Sequence, residues 1–199
     1  SYALACHKLN QDDSTYFFNR KAIDMFDETK LDGRLMKMQV LYETGSYYYT
    51  DGNDDSALYY LERSLQIAEE MTSVFMKGGI HYFMARVYQG RGEMEMAESH
   101  YRKSVLNSIE TMETGKAYTN PDYTFVPFHA WDVMVKNMTP RMVKRWAYSR
   151  LRSNYHYLSE IEERRGNLLA SLEWLKKKQA AEEKINEISE NFNIPTVLA

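Results

Sequence analysis

The sequence predicts an all-α chain built from repeated helical hairpins, and three observations carry that expectation. Only four prolines and nine glycines interrupt 199 residues, and β-type alternation is scarce. Apolar and small residues recur at three- and four-residue spacings, which gathers them on single helix faces. The same order of residue types returns along the chain, at an offset of 42 from Thr15 to Ala57 and of 40 from Ala57 to Ala97. The length is ample for one continuous core in a single domain.

The clearest hairpin runs through Gly45 to Leu65. Leu41, Gly45 and Tyr48 share one face of a first helix, expected from about Asp32 to Thr50. Gly52-Asn53-Asp54 then breaks it, because Gly tolerates positive φ and Asn and Asp bond their own backbone. Ala57, Leu61, Ser64 and Leu65 line one face of a second helix, expected from about Asp54 to Met71. Gly45 and Ala57 are small enough to let the two helices approach closely, with Tyr48 and Leu61 filling the space beside them. This order resembles the tetratricopeptide repeat (TPR), W-x2-L-G-x2-Y followed by A-x3-F and A, with Leu41 at the Trp position and Thr44 at the Leu. The resemblance implies a right-handed α-solenoid of TPR-like hairpins.

Taken in order, the first unit covers about residues 1–31. Residues 1–11 read as the end of a shortened first helix running into a polar turn. Asp12–Met25 lies in register with Asp54–Ile67, Thr15 on Ala57, Ala22 on Ser64, Ile23 on Leu65 and Met25 on Ile67. The second unit is the hairpin at 32–72. The third, 78–112, places His81, Met84, Ala85, Tyr88, Gly92, Ala97, Tyr101, Ser104 and Val105 at the motif positions. Residues in excess of the plain 34-residue repeat fall around Thr29–Gly33 and Thr72–Gly79, as longer helices with looser turns. From about Asn107 no small-residue register can be placed, and 113–139 is an irregular stretch in the room of one remodelled repeat. Within it Thr114–Pro127 is a loop by composition, and His129–Met138 a short helix carrying Trp131, Met134 and Met138. The last unit, 140–192, opens with Thr139 as N-cap and Pro140 at the first helical position. Its first helix ends near Arg165 and turns at Gly166. Ser171 takes the first small position of the second helix, Leu175 the aromatic one and Lys178 the second small one. Ala181, Ile185, Ile188 and Phe192 form a stripe suited to capping the stack, and 193–199 is a frayed tail.

Composition narrows the function classes. A net charge of −3 argues against a nucleic-acid protein that works by bulk charge. Cys6 alone makes no internal disulfide, which leaves the redox compartment open. No apolar run reaches the roughly 18 residues of a membrane span, and the N-terminus lacks a signal-peptide core. The sequence leaves the compartment open, favouring the cytoplasm over the periplasm, which would suit a fragment. There is no P-loop, no Gly-x-Ser-x-Gly, no His-Glu-x-x-His and no Cys/His ligand cluster. No two of the five histidines stand at i, i+4, and His81, at the motif Trp position, reads as a hydrogen-bonded core histidine. No catalytic residue, cofactor or metal is therefore expected, and the chain is not read as an enzyme. The run from Lys136 to Arg152 holds Lys136, Arg141, Lys144, Arg145, Arg150 and Arg152 without an acid. Such a cluster suits phosphate, but pairing with Glu160, Glu162 and Glu163 is the favoured use.

In the TPR family the concave groove is lined by first-helix residues beside the core positions. Carried over by position, the resemblance assigns Gln39, Tyr42, Ser46 and Tyr49 to that groove from one hairpin. Tyr82, Arg86 and Gln89 come from the next, and His156, Glu160 and Glu163 from the last. The Lys and Asn set that clamps chaperone C-termini is absent from these positions, which disfavours that partner. Tyr42, Tyr49 and Tyr82, with Arg86 as an anion anchor, are expected to meet the partner; the alternative is that they pack between hairpins. The function implied is a non-catalytic protein- or peptide-binding scaffold, similar to the sensing regions of bacterial regulators and TPR-bearing histidine kinases. Alternatives are a peptide-responsive regulator of the Rap type, or nucleic-acid contact through 136–152.

Overall fold

The computed structural model describes residues 12–114 and 139–190, and among them every regular element is an α-helix. In chain order these are α1 (Asp12–Met25), α2 (Leu31–Thr50), α3 (Asp54–Glu70), α4 (Val74–Gly90), α5 (Met94–Thr114), α6 (Pro140–Arg164) and α7 (Leu168–Glu190). Residues 1–11, the loop Thr114–Pro127 beyond its first residue, the short helix at His129–Met138 and the tail from 191 lie outside the described residues.

Four turns share one construction. In each, the residue after the helix donates to a carbonyl four back, and a left-handed residue brings the following N–H onto a carbonyl five back. Asn53 N donates to Tyr48 O, Ser73 N to Ala68 O, Glu93 N to Tyr88 O and Asn167 N to Glu162 O, at 2.8–2.9 Å. This satisfies carbonyls that a helix end leaves open. The left-handed position is Gly52, Gly92 and Gly166 in three turns and Thr72 in the fourth. Starts are marked as well. The Asn53 side chain accepts from Ser56 N at 3.2 Å, and Thr139 Oγ1 from Met142 N at 3.3 Å.

The internal repeat is visible as the same contacts made twice. Ser64 Oγ donates to Met38 O and Ser104 Oγ to Gly78 O, both at 2.7 Å and both at residues 40 apart. Tyr48 meets Tyr60 at 5.4 Å between ring centroids, and Tyr88 meets His100 at 5.3 Å, again 40 apart. Gly45 is needed where it stands: a Cβ there would lie 2.7 Å from Leu61 Cγ and 3.1 Å from Ala57 O. Ala57, Leu61, Ala97 and Tyr101 are all fully buried, as the repeat requires.

Each helix packs on the next, and α2 also touches α4, and α4 touches α6. One core cluster joins α1 to α4 through Ile23, Leu35, Leu41, Leu61, Met71 and Ile80. A second joins α4 to α7 through Ala85, Tyr101, Leu151, Leu158, Ile161 and Ala181. Asn154 of α6, fully buried, donates to Ser104 Oγ at 2.8 Å and so ties α6 into the repeated bond.

Three expectations need correction. The surplus residues before the third unit are not a loose turn: Thr72 closes a tight one, and Val74–Gly79 belong to α4. Helix α5 runs through Asn107 to Thr114, beyond the limit at 112, because buried Ser108 and Thr111 extend its packed face. Leu175 does not fill the aromatic position of α7. It is 39% exposed, while Trp174 stacks on Tyr155 at 5.7 Å. The inward stripe of α7 is Ser171, Trp174, Lys178, Ala181 and Ile185, one residue out of the expected register at its aromatic.

Candidate functional site

The contacts of α2 with α4 and of α4 with α6 put three first helices side by side, and their shared face carries most of the groove residues expected from the sequence. On α4, Tyr82, Arg86 and Gln89 follow one another at four and three residues and are half-buried, as are Tyr42, Ser46 and Tyr49 on α2. The rings interlock. Phe83 of α4 lies edge-on to both Tyr42 and Tyr49, at 5.7 and 5.8 Å. Tyr157 of α6 approaches Tyr82 at 6.4 Å and stacks on Tyr101 at 5.2 Å.

Arg86 is the centre of this cluster. Its guanidinium lies 4.4 Å from the Tyr157 ring centroid and 5.6 Å from that of Tyr49, and Nη1 donates to the Tyr157 hydroxyl. Cation–π contacts of this kind hold a cation over a ring face without neutralising it. Burial opposes the charge of Arg86, but the surrounding Tyr49, Tyr157 and Tyr82 outweigh it and leave the pKa raised.

Arg150 of α6 reaches the same face beside Tyr42, both lying against Gly79. It donates from Nη1 to Phe75 O at 2.9 Å and lies over the Phe75 ring at 4.8 Å, with Trp146 stacked beyond at 5.8 Å. Burial lowers the pKa of Arg150 and raises that of Tyr42. Among the described residues no carboxylate reaches ion-pair distance of Arg86 or Arg150. Arginines elsewhere do find acids: Arg34 pairs with Glu70, Arg91 with Asp55 and Arg165 with Glu98.

The other expected groove residues are committed locally. Gln39 Nε2 donates to Glu43 Oε1 at 2.9 Å and Ser46 Oγ to Glu43 O at 2.8 Å. Gln89 Oε1 accepts from the Tyr101 hydroxyl at 2.6 Å. His156 and Glu160 form a pair of their own, Nε2 to Oε1 3.5 Å, and Glu163 is exposed. The structure thus gathers Tyr42, Tyr49, Tyr82 and Arg86, and adds Phe83, Arg150 and Tyr157, which sequence reasoning missed. A signal existed for two of them. Phe83 and Tyr157 are 74 apart, the same offset as Gly92 and Gly166, and each follows an expected groove position by one residue.

The basic run disperses. Arg141 Nη2 donates to Ile188 O and Arg145 Nε to Ser189 Oγ, both at 3.2 Å, where the C-terminal end of α7 favours positive charge. Arg152 faces Glu182 at 3.8 Å. Among the described residues of the run, the expected pairing with Glu160, Glu162 and Glu163 does not form. Glu162 instead meets Arg165 at 3.7 Å and Arg102 at 4.0 Å, because those side chains project from its own turn and from α5. Lys136 lies outside the described residues.

Between α4 and α5, His81 and His100 face each other in the core, Nδ1 to Nδ1 3.1 Å. Burial first, then the neighbouring positive groups, pushes them down to about 3 and about 4. Among the described residues no group of three or more His, Cys, Asp or Glu could hold a metal ion, and no helix is long and apolar enough to cross a membrane. Compared with known proteins, the chain matches no family model, no curated protein and no solved structure.

Proposed function

We propose that this chain is a non-catalytic binding module, a TPR-like right-handed solenoid whose first-helix face holds a protein or peptide segment. The observation that carries this reading is the half-exposed aromatic cluster around Arg86, with the acid-free Arg150 beside it. Tyrosine offers large contact area with little side-chain entropy to lose, and tyrosine and arginine are both enriched in binding hot spots. The repeated contacts at an offset of 40 support the solenoid, as does the pattern of neighbours. First helices run against first helices, while among the described elements the backbones of α3 and α5 stay apart, as do those of α5 and α7, which meet through Arg102 over the Trp174 ring. Stacked hairpins of that kind present an extended surface along one layer. A role in a bacterial sensing or regulatory protein rests on the resemblance alone.

The test is selection from a random-peptide display library against the full chain, repeated with a Tyr49→Ala, Arg86→Glu double variant. Helical content and melting point should stay within the error of wild type, because both residues are half-exposed. Binding of the selected peptides should weaken by at least ~2 kcal/mol. A variant that loses melting temperature along with binding would mean that these rings serve hairpin packing, and the site reading would fail.

A further inference from the structure

The seat of Arg150 is built into the backbone of α4. A Cβ on Gly78 would stand 2.6 Å from Arg150 Nη1, and one on Gly79 would stand 3.3 Å from Nη2 and 3.3 Å from the Tyr42 hydroxyl oxygen. Consecutive glycines weaken a helix interior, because they carry the most backbone entropy into the folded state. Here they open the space a guanidinium occupies. Nη1 of that guanidinium bonds a helix carbonyl, Phe75 O, and no described anion answers its charge. Arg86, two turns along the same helix, also has no counter-charge among the described residues, though it is only half-buried and the rings around it favour its charge. Its Nη1 is taken by the Tyr157 hydroxyl, and its Nη2 and Nε edge bonds no described residue. Burial is costly for the Arg150 guanidinium, which has no described counter-charge, and the planar fork of either arginine matches a carboxylate.

The geometry points to an acidic peptide as the occupant of this face, with one carboxylate on Arg86 and a second on Arg150. This rests on the peptide-binding reading above and adds the chemistry of the ligand. Gly79 and Arg86 are seven residues apart on α4, about 10 Å of helix rise. A polyproline-II segment returns to the same side every three residues, about 9 Å along its axis, so acids at i and i+3 reach both seats. The acids on the rim do not compete. Glu43 is held by Gln39 with its pKa raised by burial, and Glu160 is paired with His156. A nucleic acid fits less well. Arg141, Arg145 and Arg152 are engaged along α7, so the basic run offers no continuous track for a strand carrying a charge at every nucleotide.

Fluorescence anisotropy on the full chain tests the idea. The probes are a labelled peptide with two glutamates separated by two alanines in a Gly/Ser background, its glutamine counterpart, and a labelled oligothymidylate. The glutamate peptide should bind saturably and at least ~10-fold more tightly than the glutamine one. Arg86→Gln and Arg150→Met should each weaken it at least ~10-fold, while Arg150→Met melts no lower than wild type, since removing an unpaired buried charge relieves a cost. Equal affinity for the two peptides, no saturable binding of the glutamate peptide, or tighter binding of the oligothymidylate would each overturn the proposal. So would a melting point that falls with Arg150→Met, which would make Arg150 a packing residue. Neutral library peptides that depend on Tyr49 and Arg86 would sink only the acid preference. Library peptides indifferent to both would sink the site itself.

Discussion

Thr72 holds a backbone position that suits it poorly. Its φ is 51°, in the left-handed region that glycine occupies at φ 74°, 77° and 77° in the other three tight turns. A β-branched side chain is crowded there, and such strain costs on the order of 1 kcal/mol. Thr72→Gly should therefore stabilise the chain by about 0.5–1 kcal/mol despite the looser unfolded state, read as a higher urea midpoint. A lower midpoint would mean that contacts of the Thr72 side chain outweigh the strain. The buried histidine pair makes a second prediction at this scale. Unfolded histidine takes up a proton near pH 6.5, whereas His81 and His100 in the folded chain do so only at about 3 and about 4. Their depressed values mean that neutral histidine is the folded form, and that the unfolded chain binds more protons below 6.5. Stability is whole above that pH and is lost as acid carries the chain down through 4 towards 3. The urea midpoint should fall between about pH 7 and pH 5, and a His81→Leu, His100→Leu variant should flatten that fall. An equal fall in both proteins would place the acid sensitivity elsewhere.

At the scale of elements, the hairpin α2–α3 was legible because its determinants are local. Small residues, a left-handed turn position and a capping Asn act through backbone sterics and near-neighbour hydrogen bonds, which sequence spacing encodes. Gly45 is the sharpest case, since Leu61 is fully buried and cannot swing away from an added side chain. Gly45→Val should cost about 2 kcal/mol through overpacking, measured as a lower melting point, and a neutral result would place the α2–α3 contact elsewhere. The second helix of the last unit was harder to read. Leu168, Leu169, Leu172 and Leu175 look like core by composition, yet they are 63%, 81%, 53% and 39% exposed. Which face of α7 turns inward depends on Tyr155 and Arg102 receiving Trp174, and those partners lie on other helices. The candidate site divides in the same way. Tyr42, Tyr49, Tyr82 and Arg86 followed from position within a hairpin. Arg150 and Tyr157 reach α4 across a helix pair far apart in sequence, and no local pattern announces that meeting.

For the molecule as a whole, the site is a product of stacking order. No single hairpin contains it, because α2, α4 and α6 each supply a part, and Arg86 alone touches groups from two of them. A defect at the junction of α5 with α6 would for that reason remove Tyr157 and Arg150 from the cluster without touching either residue.

The same list of neighbours sets how fast the chain can reach its fold. Among the described residues almost every contact joins a helix to the next one along, and chains dominated by such local contacts fold in the microsecond to millisecond range. One junction departs from this. Asn154 of α6 bonds Ser104 of α5 across 50 residues of sequence, and bringing together residues so far apart costs more loop-closure entropy than the contacts within a hairpin. The α6–α7 hairpin and the α2–α5 block are each held by contacts of their own, which predicts that their joining is the slower step in stopped-flow refolding. Asn154→Ala should slow that step, while Gly45→Val leaves its rate unchanged.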